Sequence, residues 1–212
     1  MLSVKNLSEK SLAGYQQTQI GNSCAVSSAC AALNLLFDSH IQSQDWIKKV
    51  DNLSFPAILK MRLYRNGPTM PFQQMNLLRW IAETNHFTAI SIKRETGTRN
   101  KLLDILTTNR QVALVTVGWF FTTPPEITIG DTANNYNATQ AKFGWHTMLV
   151  AAYNPAHICT DGLVRPWGFI NSWGTGGEDL FWMSEAVFLR SWSIYTPPIG
   201  THSMVIVQIM DD

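Results

Sequence analysis

The chain has 212 residues, of which 45% are hydrophobic and 15% are charged, and its formal net charge is +1. This length fits one large domain or two small lobes that share an interface, and so few charged residues indicate a compact globular protein. The nearly balanced charge, without a basic block or a zinc-finger spacing, excludes nucleic acid as an expected partner.

The sequence also bears on where the protein works. Its N-terminal stretch lacks the apolar core of a signal peptide, and no later apolar run has the length of a membrane span. Three cysteines, an odd number, do not make a disulfide framework and favour a reducing compartment. We therefore expect a cytoplasmic protein, or one exported by a non-classical secretion system, with no membrane partner.

The first part of the chain predicts helices. Apolar residues between 24 and 37 follow the spacing of an amphipathic helix, and the side chain of Asn22 or Ser23 is suited to cap its start. The predicted segments in this part are helices at 24–37, 42–50, 55–64 and 72–84, with a loop at 66–71.

The later part of the chain predicts strands, because β-branched and aromatic residues are enriched between clusters of Gly, Pro, Asn and Asp. These strands are expected at 88–93, 112–121, 146–153, 164–173 and 204–210. A short helix is predicted at 100–108, and a long polar loop, of the kind that often carries function, at 122–144. Helices followed by strands predict an α+β fold in which the first long helix meets the later sheet.

Cys24 is the first candidate for chemistry. It stands in the first turn of the predicted helix, where the helix dipole favours a negative charge such as that of a thiolate. The preceding turn, QIGNS, offers backbone amides to a developing oxyanion. A free cysteine at a helix start is also often a small buried hydrophobic residue, so the position requires a base elsewhere in the chain.

Two later residues are suited to act with a thiol. Of the five histidines, His146 begins a strong predicted strand directly after a turn, where its side chain can project into a cleft. Asn171 closes a buried strand where a glycine-rich turn begins, so its amide can accept a hydrogen bond from the imidazole, and Trp173 can shield that contact from water. Taken alone, a half-buried histidine and a turn asparagine are the ordinary structural alternatives.

The order of these residues and the sequence around them resemble the papain-like cysteine peptidases. The segment QTQIGNSCAVSSA is similar to the block around the family's nucleophile, and GWHTMLVAAYN is similar to its histidine strand. LLDILTTNRQVALVTVGWF resembles the helix and strand that precede the histidine, and FINSWGTGGEDLFWM resembles the Asn-Ser-Trp-Gly segment and the hairpin after it. These blocks follow the family's order and span most of residues 17–183.

The resemblance implies a papain-like two-lobe fold in a single catalytic domain over 1–212. A helical lobe, about 17–86, would carry the nucleophile helix, and a lobe built on an antiparallel sheet or barrel, about 87–212, would carry the histidine and asparagine. No cofactor and no metal are implied.

The resemblance also implies roles for individual residues. Cys24 would be the nucleophile, and His146 would be the base that forms a thiolate–imidazolium pair with it. Asn171 would orient the imidazole, and Trp173 would cover the Asn–His contact. The family builds its oxyanion hole from the cysteine backbone N–H and an upstream glutamine, for which Gln19 is the nearest candidate.

The chain departs from the family pattern near that glutamine. The family's glutamine stands six residues before the nucleophile, whereas Gln19 stands five residues before Cys24 and Gln17, the second candidate, seven. The family's half-cystine upstream of the nucleophile is replaced by Gly21, and the Trp-Gly pair after Asn-Ser-Trp-Gly is replaced by Gly176-Gly177, which predicts a trimmed hairpin. No inhibitory propeptide is recognisable.

The first hypothesis is a cysteine peptidase that cleaves a peptide or related amide bond through an acyl-enzyme on Cys24. Its expected partners are a protein or peptide substrate and a proteinaceous inhibitor or immunity partner, as for a bacterial effector, a toxin or a phage enzyme. Alternatives are an acyl transferase or deamidase with the same triad, and a papain-fold binding module without turnover. A permuted-type cell-wall amidase is disfavoured, because that family pairs its cysteine with a second histidine.

Overall fold

The computed structural model describes residues 1–120, 122–132, 141–173, 177–196 and 200–210. Within these ranges the chain forms six α-helices and two short 3-10 turns. The helices are α1 (Glu9–Ala13), α2 (Cys24–Phe37), α3 (Ser43–Asp51), α4 (Pro71–Thr84), α5 (Arg99–Leu106) and α6 (Glu185–Trp192), and the turns are Val4–Asn6 and Ala57–Lys60.

Eight strands in the described part of the chain form one sheet, and every pairing between them is antiparallel. They are β1 (Leu2–Ser3), β2 (Ile90–Thr96), β3 (Gln111–Phe120), β4 (Thr128–Ile129), β5 (Phe143–Tyr153), β6 (Trp167–Ile170), β7 (Phe181–Met183) and β8 (Ser203–Ile209). The order across the sheet is β2-β8-β3-β5-β6-β7-β4, and β1 pairs with β5. This combination of helices and an antiparallel sheet confirms the predicted α+β class.

Helix α2 is the central helix of the molecule. Its side chains from Ala25 to Leu36 are all buried, because α3 and α4 pack beside it and β3 and β5 pack against it. Ser28 fixes the register against the sheet, since its hydroxyl donates to the Thr147 carbonyl at 2.9 Å. The N-terminus of this helix is thereby held against β5.

The start of α2 differs from the expectation of a side-chain cap. Ser23 occupies the N-cap position, but its side chain makes no cap bond to the helix. Its hydroxyl instead donates to the Ile20 carbonyl at 2.7 Å and accepts from the Ile20 N–H at 2.9 Å, while the Asn22 amide donates to the Asn66 carbonyl. The two side chains stabilise the loop that precedes Cys24 instead of capping the first turn.

Most long predicted elements are confirmed. Apolar periodicity located α2 and α4, and the β-rich segments correspond to β2, β3, β5 and β8, with boundaries that shift by a few residues. Phe121, the last residue of the predicted strand 112–121, lies outside the described residues. The predicted helix at 100–108 is α5.

Three predicted segments are wrong in extent. Residues 55–64 form only the short turn Ala57–Lys60, since Pro56 restricts the local backbone and side chains such as Phe55, 77% exposed, bury no surface that would stabilise a helix. The strand at 164–173 shortens to β6 after Pro166. The polar loop at 122–144 contains β4, which pairs with β7; residues 133–140 of this loop lie outside the described residues.

Helices α1 and α6 were not among the predicted elements. Both helices are short, and each begins with a serine that caps it: Ser8 accepts from the Ser11 N–H and Ser184 from the Val187 N–H. The predicted trimming at Gly176-Gly177 lies partly outside the described residues, since Gly176 is not among them.

One cluster of buried apolar side chains includes residues of α2, α4, α5 and α6 and of strands β3, β5 and β8. Strand β5 lies between β3 and β6: β3 pairs with its residues 143–150, which include His146, and β6 pairs with residues in its second half. In the described part of the chain, no helix combines the length and the apolar character that a membrane span requires.

Candidate active site

A cleft of about 350 Å³ opens where the N-terminus of α2 meets the first half of β5. Four of the predicted site residues line it: Cys24, His146, Gln19 and Trp173. None of the described residues that line the cleft carries a formal charge apart from what Cys24 and His146 can acquire. The fold therefore brings together a thiol, an imidazole and an amide from segments far apart in the sequence.

His146 and Asn171 form a short hydrogen bond that fixes the state of the imidazole. His146 Nε2 lies 2.6 Å from Asn171 Oδ1, and both side chains are buried. The same Oδ1 accepts the backbone N–H of Ser172 at 2.7 Å, and an N–H can only donate, so the amide orientation is determined. Neutral His146 must then carry its proton on Nε2, which leaves Nδ1 as an unprotonated base.

The position of Asn171 costs free energy, because one of its polar groups is buried without a partner among the described residues. Its Nδ2 is buried and has no hydrogen-bond partner in the described part of the chain, although the residue is only 1% exposed. A buried unsatisfied donor costs about 1–3 kcal/mol. The backbone N–H groups of Ser172 and Trp173 both turn towards Oδ1, so the segment after β6 is shaped to present this oxygen to His146.

Trp173 covers the imidazole. Its ring lies 4.2 Å from the ring of His146, centroid to centroid, and meets Trp119 edge-on. Trp119 is itself fixed, because its indole N–H donates to the Ala141 carbonyl at 2.8 Å. Water is thereby excluded from the His–Asn hydrogen bond, which strengthens it.

Burial acts on the charges of both reacting groups. Burial raises the pKa of the Cys24 thiol, while hydrogen bonds from the backbone and side chain of Thr147 and the backbone of Ala25, together with the charge of Arg62, act in the opposite direction. Burial also lowers the pKa of His146 to about 4, against the opposing effect of the Asn171 hydrogen bond. The site thus depends on donors near the sulfur to stabilise a thiolate.

Thr147 is one of these donors, and a buried glutamine orients it. Gln74 of α4 donates from Nε2 to Thr147 Oγ1 at 3.0 Å and to Thr116 Oγ1 at 3.2 Å. Because an amide nitrogen cannot accept, Thr147 Oγ1 is the acceptor, and its own hydrogen remains available for Cys24. These hydrogen bonds link α4, β3 and β5 to Cys24.

The structure separates the two candidate oxyanion glutamines. Gln19 lines the cleft; its Oε1 accepts from Ser172 Oγ at 2.9 Å, and its Nε2 donates to the Gly21 carbonyl at 2.8 Å, which leaves one amide hydrogen without an assigned acceptor. Gln17 points away from the cleft, since its amide bonds to the Ile41 carbonyl and the Ser43 N–H at the start of α3. The geometry favours Gln19 for the oxyanion role.

For a cleft that hydrolyses amides through Cys24, we expect Gln19→Ala to lower that hydrolysis about 100-fold, the usual effect of losing one oxyanion donor, while the rate of Cys24 alkylation by iodoacetamide stays nearly unchanged. Alkylation passes through no tetrahedral oxyanion, so it reports the thiol alone. Steady-state hydrolysis and mass-spectrometric labelling rates measure the two effects separately.

Ser172→Ala is the matched control, because it removes the same Ser172–Gln19 hydrogen bond and keeps the glutamine amide. A loss of hydrolysis as large as that of Gln19→Ala would show that the contact is structural and would contradict the oxyanion role.

The other cysteines and histidines lie elsewhere. Cys30 is buried in α2, and burial raises its pKa to about 12. The Sγ atom of Cys159 lies 3.9 Å from Nε2 of His157, but both residues are buried and His157 stacks on Trp182. Among the described residues, no group of three or more His, Cys, Asp or Glu side chains is arranged to hold a metal ion.

Sequence analysis did not identify three residues that act near Cys24. Gln74 had a signal, because it stands on the apolar face of α4 in line with Leu77, Leu78 and Ile81, where a polar residue needs a buried partner. No sequence pattern distinguishes Thr147, apart from its place next to His146. Arg62 likewise had no sequence signal, since nothing in its surrounding sequence distinguishes it from an exposed arginine.

Comparison of the chain with models of known protein families gives no match, and a search of curated proteins gives no significant similarity.

Proposed function

We propose that the protein is a cysteine peptidase of the papain-like type, with a helical lobe that carries Cys24 and a β-lobe that carries His146 and Asn171. The observation that carries the proposal is the fixed Asn171–His146 hydrogen bond, which leaves Nδ1 of the imidazole unprotonated in the same cleft as the thiol at the start of α2. A thiol nucleophile needs a base of this kind in its cleft, which supports the proposal.

The chemistry follows from these positions. His146 Nδ1 takes the thiol proton, and Cys24 Sγ adds to the substrate carbonyl carbon. The oxyanion that forms is stabilised by the Cys24 backbone N–H and the Gln19 amide. His146 then gives its proton to the leaving amine as the C–N bond breaks, and a thioester remains on Cys24. Water, deprotonated by His146, hydrolyses the thioester and releases the acid.

The cleft indicates the character of the substrate. Four aromatic side chains, Trp119, Phe143, Trp145 and Trp173, line its His146 side, and Phe143 is largely exposed. Because none of the described residues that line the cleft is charged apart from what Cys24 and His146 can acquire, the site favours uncharged or apolar groups next to the scissile bond. A protein or peptide segment fits this description, and acyl transfer or deamidation would use the same residues.

A papain-fold binding module without turnover is the second candidate function. The observation that favours it is the Gln19 Nε2 contact with the Gly21 carbonyl, which occupies one of the two amide hydrogens that an oxyanion hole would use. The intact contact between His146 and Asn171 favours the enzyme instead.

Alkylation tests the proposal directly. We expect iodoacetamide or an epoxide inhibitor to modify Cys24 at least tenfold faster than Cys30 or Cys159 at pH 6, because only Cys24 is partly exposed and has a base in its cleft. Mass spectrometry of the native protein after short exposure locates the modified residue. Equal rates at the three cysteines would contradict an activated thiol, and fast labelling without release of amine from a peptide library would favour the binding module.

A further inference from the structure

Arg62 is a buried arginine beside the loop that leads into Cys24. Its side chain is 1% exposed. One nitrogen, Nη1, donates to Asp51 Oδ1 at 2.5 Å, and the other, Nη2, donates to the backbone carbonyl of Asn22 at 3.0 Å. Its Nε is buried and has no hydrogen-bond partner in the described part of the chain.

Stability does not account for this placement. Removing a guanidinium from water costs several kcal/mol, and a single partly exposed carboxylate offsets that cost incompletely. A positive charge near a helix N-terminus is also unfavourable, because the helix dipole places positive charge there. Arg62 instead donates to the Asn22 carbonyl, two residues before Cys24, and its charge acts on the pKa of the Cys24 thiol.

We propose that Arg62 is a positioning residue for Cys24: its guanidinium fixes the Asn22 carbonyl, which orients the backbone that presents the Cys24 N–H to the oxyanion, and its charge favours the thiolate. The inference rests on the proposed function and adds to it a residue outside the Cys–His–Asn set. Arg62 touches neither the substrate nor the reacting atoms, and it acts through Asn22 and through its electric field.

The loop itself shows why this hydrogen bond matters. Gly21 has a left-handed backbone, with φ of +58°, and the chain bends there just before Cys24. The side chains of Gln19, Asn22 and Ser23 each make a hydrogen bond to a backbone carbonyl of this loop or of its neighbour at Asn66. The Asn22 carbonyl receives its bond from Arg62, so this arginine completes the set that fixes the turn.

Two substitutions break the same ion pair and separate the two explanations. Arg62→Gln removes the positive charge, whereas Asp51→Asn removes the negative charge and leaves Arg62 uncompensated. A merely structural ion pair would make both variants behave alike. A charge that acts on the thiol gives opposite directions: the rate of Cys24 alkylation at pH 6 should fall about threefold to tenfold in Arg62→Gln, and should stay equal or rise in Asp51→Asn.

Two further variants complete the experiment. Arg62→Lys keeps the charge but cannot hold Asp51 and Asn22 with a planar fork, so its alkylation rate should stay within about threefold of the native rate while the peptide kcat falls more than KM changes. Arg65→Gln removes an exposed arginine nearby and should change neither rate. Urea unfolding identifies any variant that does not fold. If Arg62→Gln does not fold, the Cys24 alkylation rates of Arg62→Lys and Asp51→Asn provide the test.

The outcomes are distinct. The role of Arg62 would be overturned if the Cys24 alkylation rate of Arg62→Gln equalled that of the native protein. It would also be overturned if that rate fell equally in Asp51→Asn and Arg62→Gln, or fell as much in Arg65→Gln. If native Cys24 instead reacts no faster than Cys30, the proposed function fails. Fast native labelling with parallel losses in the two ion-pair variants refutes only the role of Arg62.

Discussion

Replacing Cys24 with serine is expected to lower amide hydrolysis by on the order of 10⁴-fold or more, with little change in the free energy of unfolding. Serine is nearly the same size, so the start of α2 and its contacts with β5 should persist. Its hydroxyl is far less acidic than a thiol and does not form a pre-existing anion beside His146, so the attack on the carbonyl carbon slows. Initial rates on a peptide substrate, with circular dichroism for the fold, measure both effects.

Cys30→Ala provides the comparison for that result. Cys30 lies on the same helix but is buried away from the cleft, so the substitution should lower stability by the cost of a small cavity and leave the rate per folded molecule unchanged. Hydrolysis by Cys24→Ser above about a tenth of the native rate would show that Cys24 is not the nucleophile.

Stability should fall by about 3 kcal/mol between pH 7 and pH 4 because of His146 alone. The imidazole titrates at about 4 when folded and near 6.5 when unfolded, so between these values the unfolded chain binds the additional proton. The stability contribution is therefore complete above about pH 6.5 and is progressively lost as the pH falls towards 4. Urea unfolding at several pH values across this range measures the slope.

His146→Gln should flatten that slope, because glutamine does not titrate and can still occupy the site beside Asn171. His40→Gln is the matched control: His40 is exposed, and its replacement should leave the slope as in the native protein. An unchanged slope in His146→Gln would mean that the buried imidazole is not the group that limits stability in acid. Asp161, whose pKa beside Arg165 is lowered to about 2, acts below this window.

The long elements of the fold were predictable, and the short ones were not. The apolar residues of α2 and α4 repeat with helical spacing over 14 residues in each helix, which is long enough to distinguish the pattern from a chance arrangement. Strands β4 and β7, of two and three residues, exist because each pairs with a neighbour, and no local pattern specifies that pairing. The predicted helix at 55–64 failed because several of its apolar side chains, among them Phe55 and Tyr64, remain exposed, although Ile58 is buried.

The candidate site divides in the same way. Cys24, His146 and Asn171 could be selected from the sequence because each residue type has a known chemical use and stands at the end of a predicted element. Which glutamine faces the cleft could not be selected, since Gln19 and Gln17 differ only in the direction of their side chains. Gln19 is directed by its contact with Ser172, and Gln17 is directed by its contact with Ser43 at the start of α3. Both serines are distant in sequence from the glutamines.

The sequence by itself determined the α+β class, the helix that begins at Cys24, and three residue types suited to thiol chemistry. Periodicity and side-chain chemistry are local properties, and they are legible without a fold. Tertiary structure decided the protonation of His146, the orientation of Thr147 by Gln74, and the burial of Arg62 against Asn22. Each depends on hydrogen bonds between segments that only packing brings together, where burial raises the cost of every unsatisfied group.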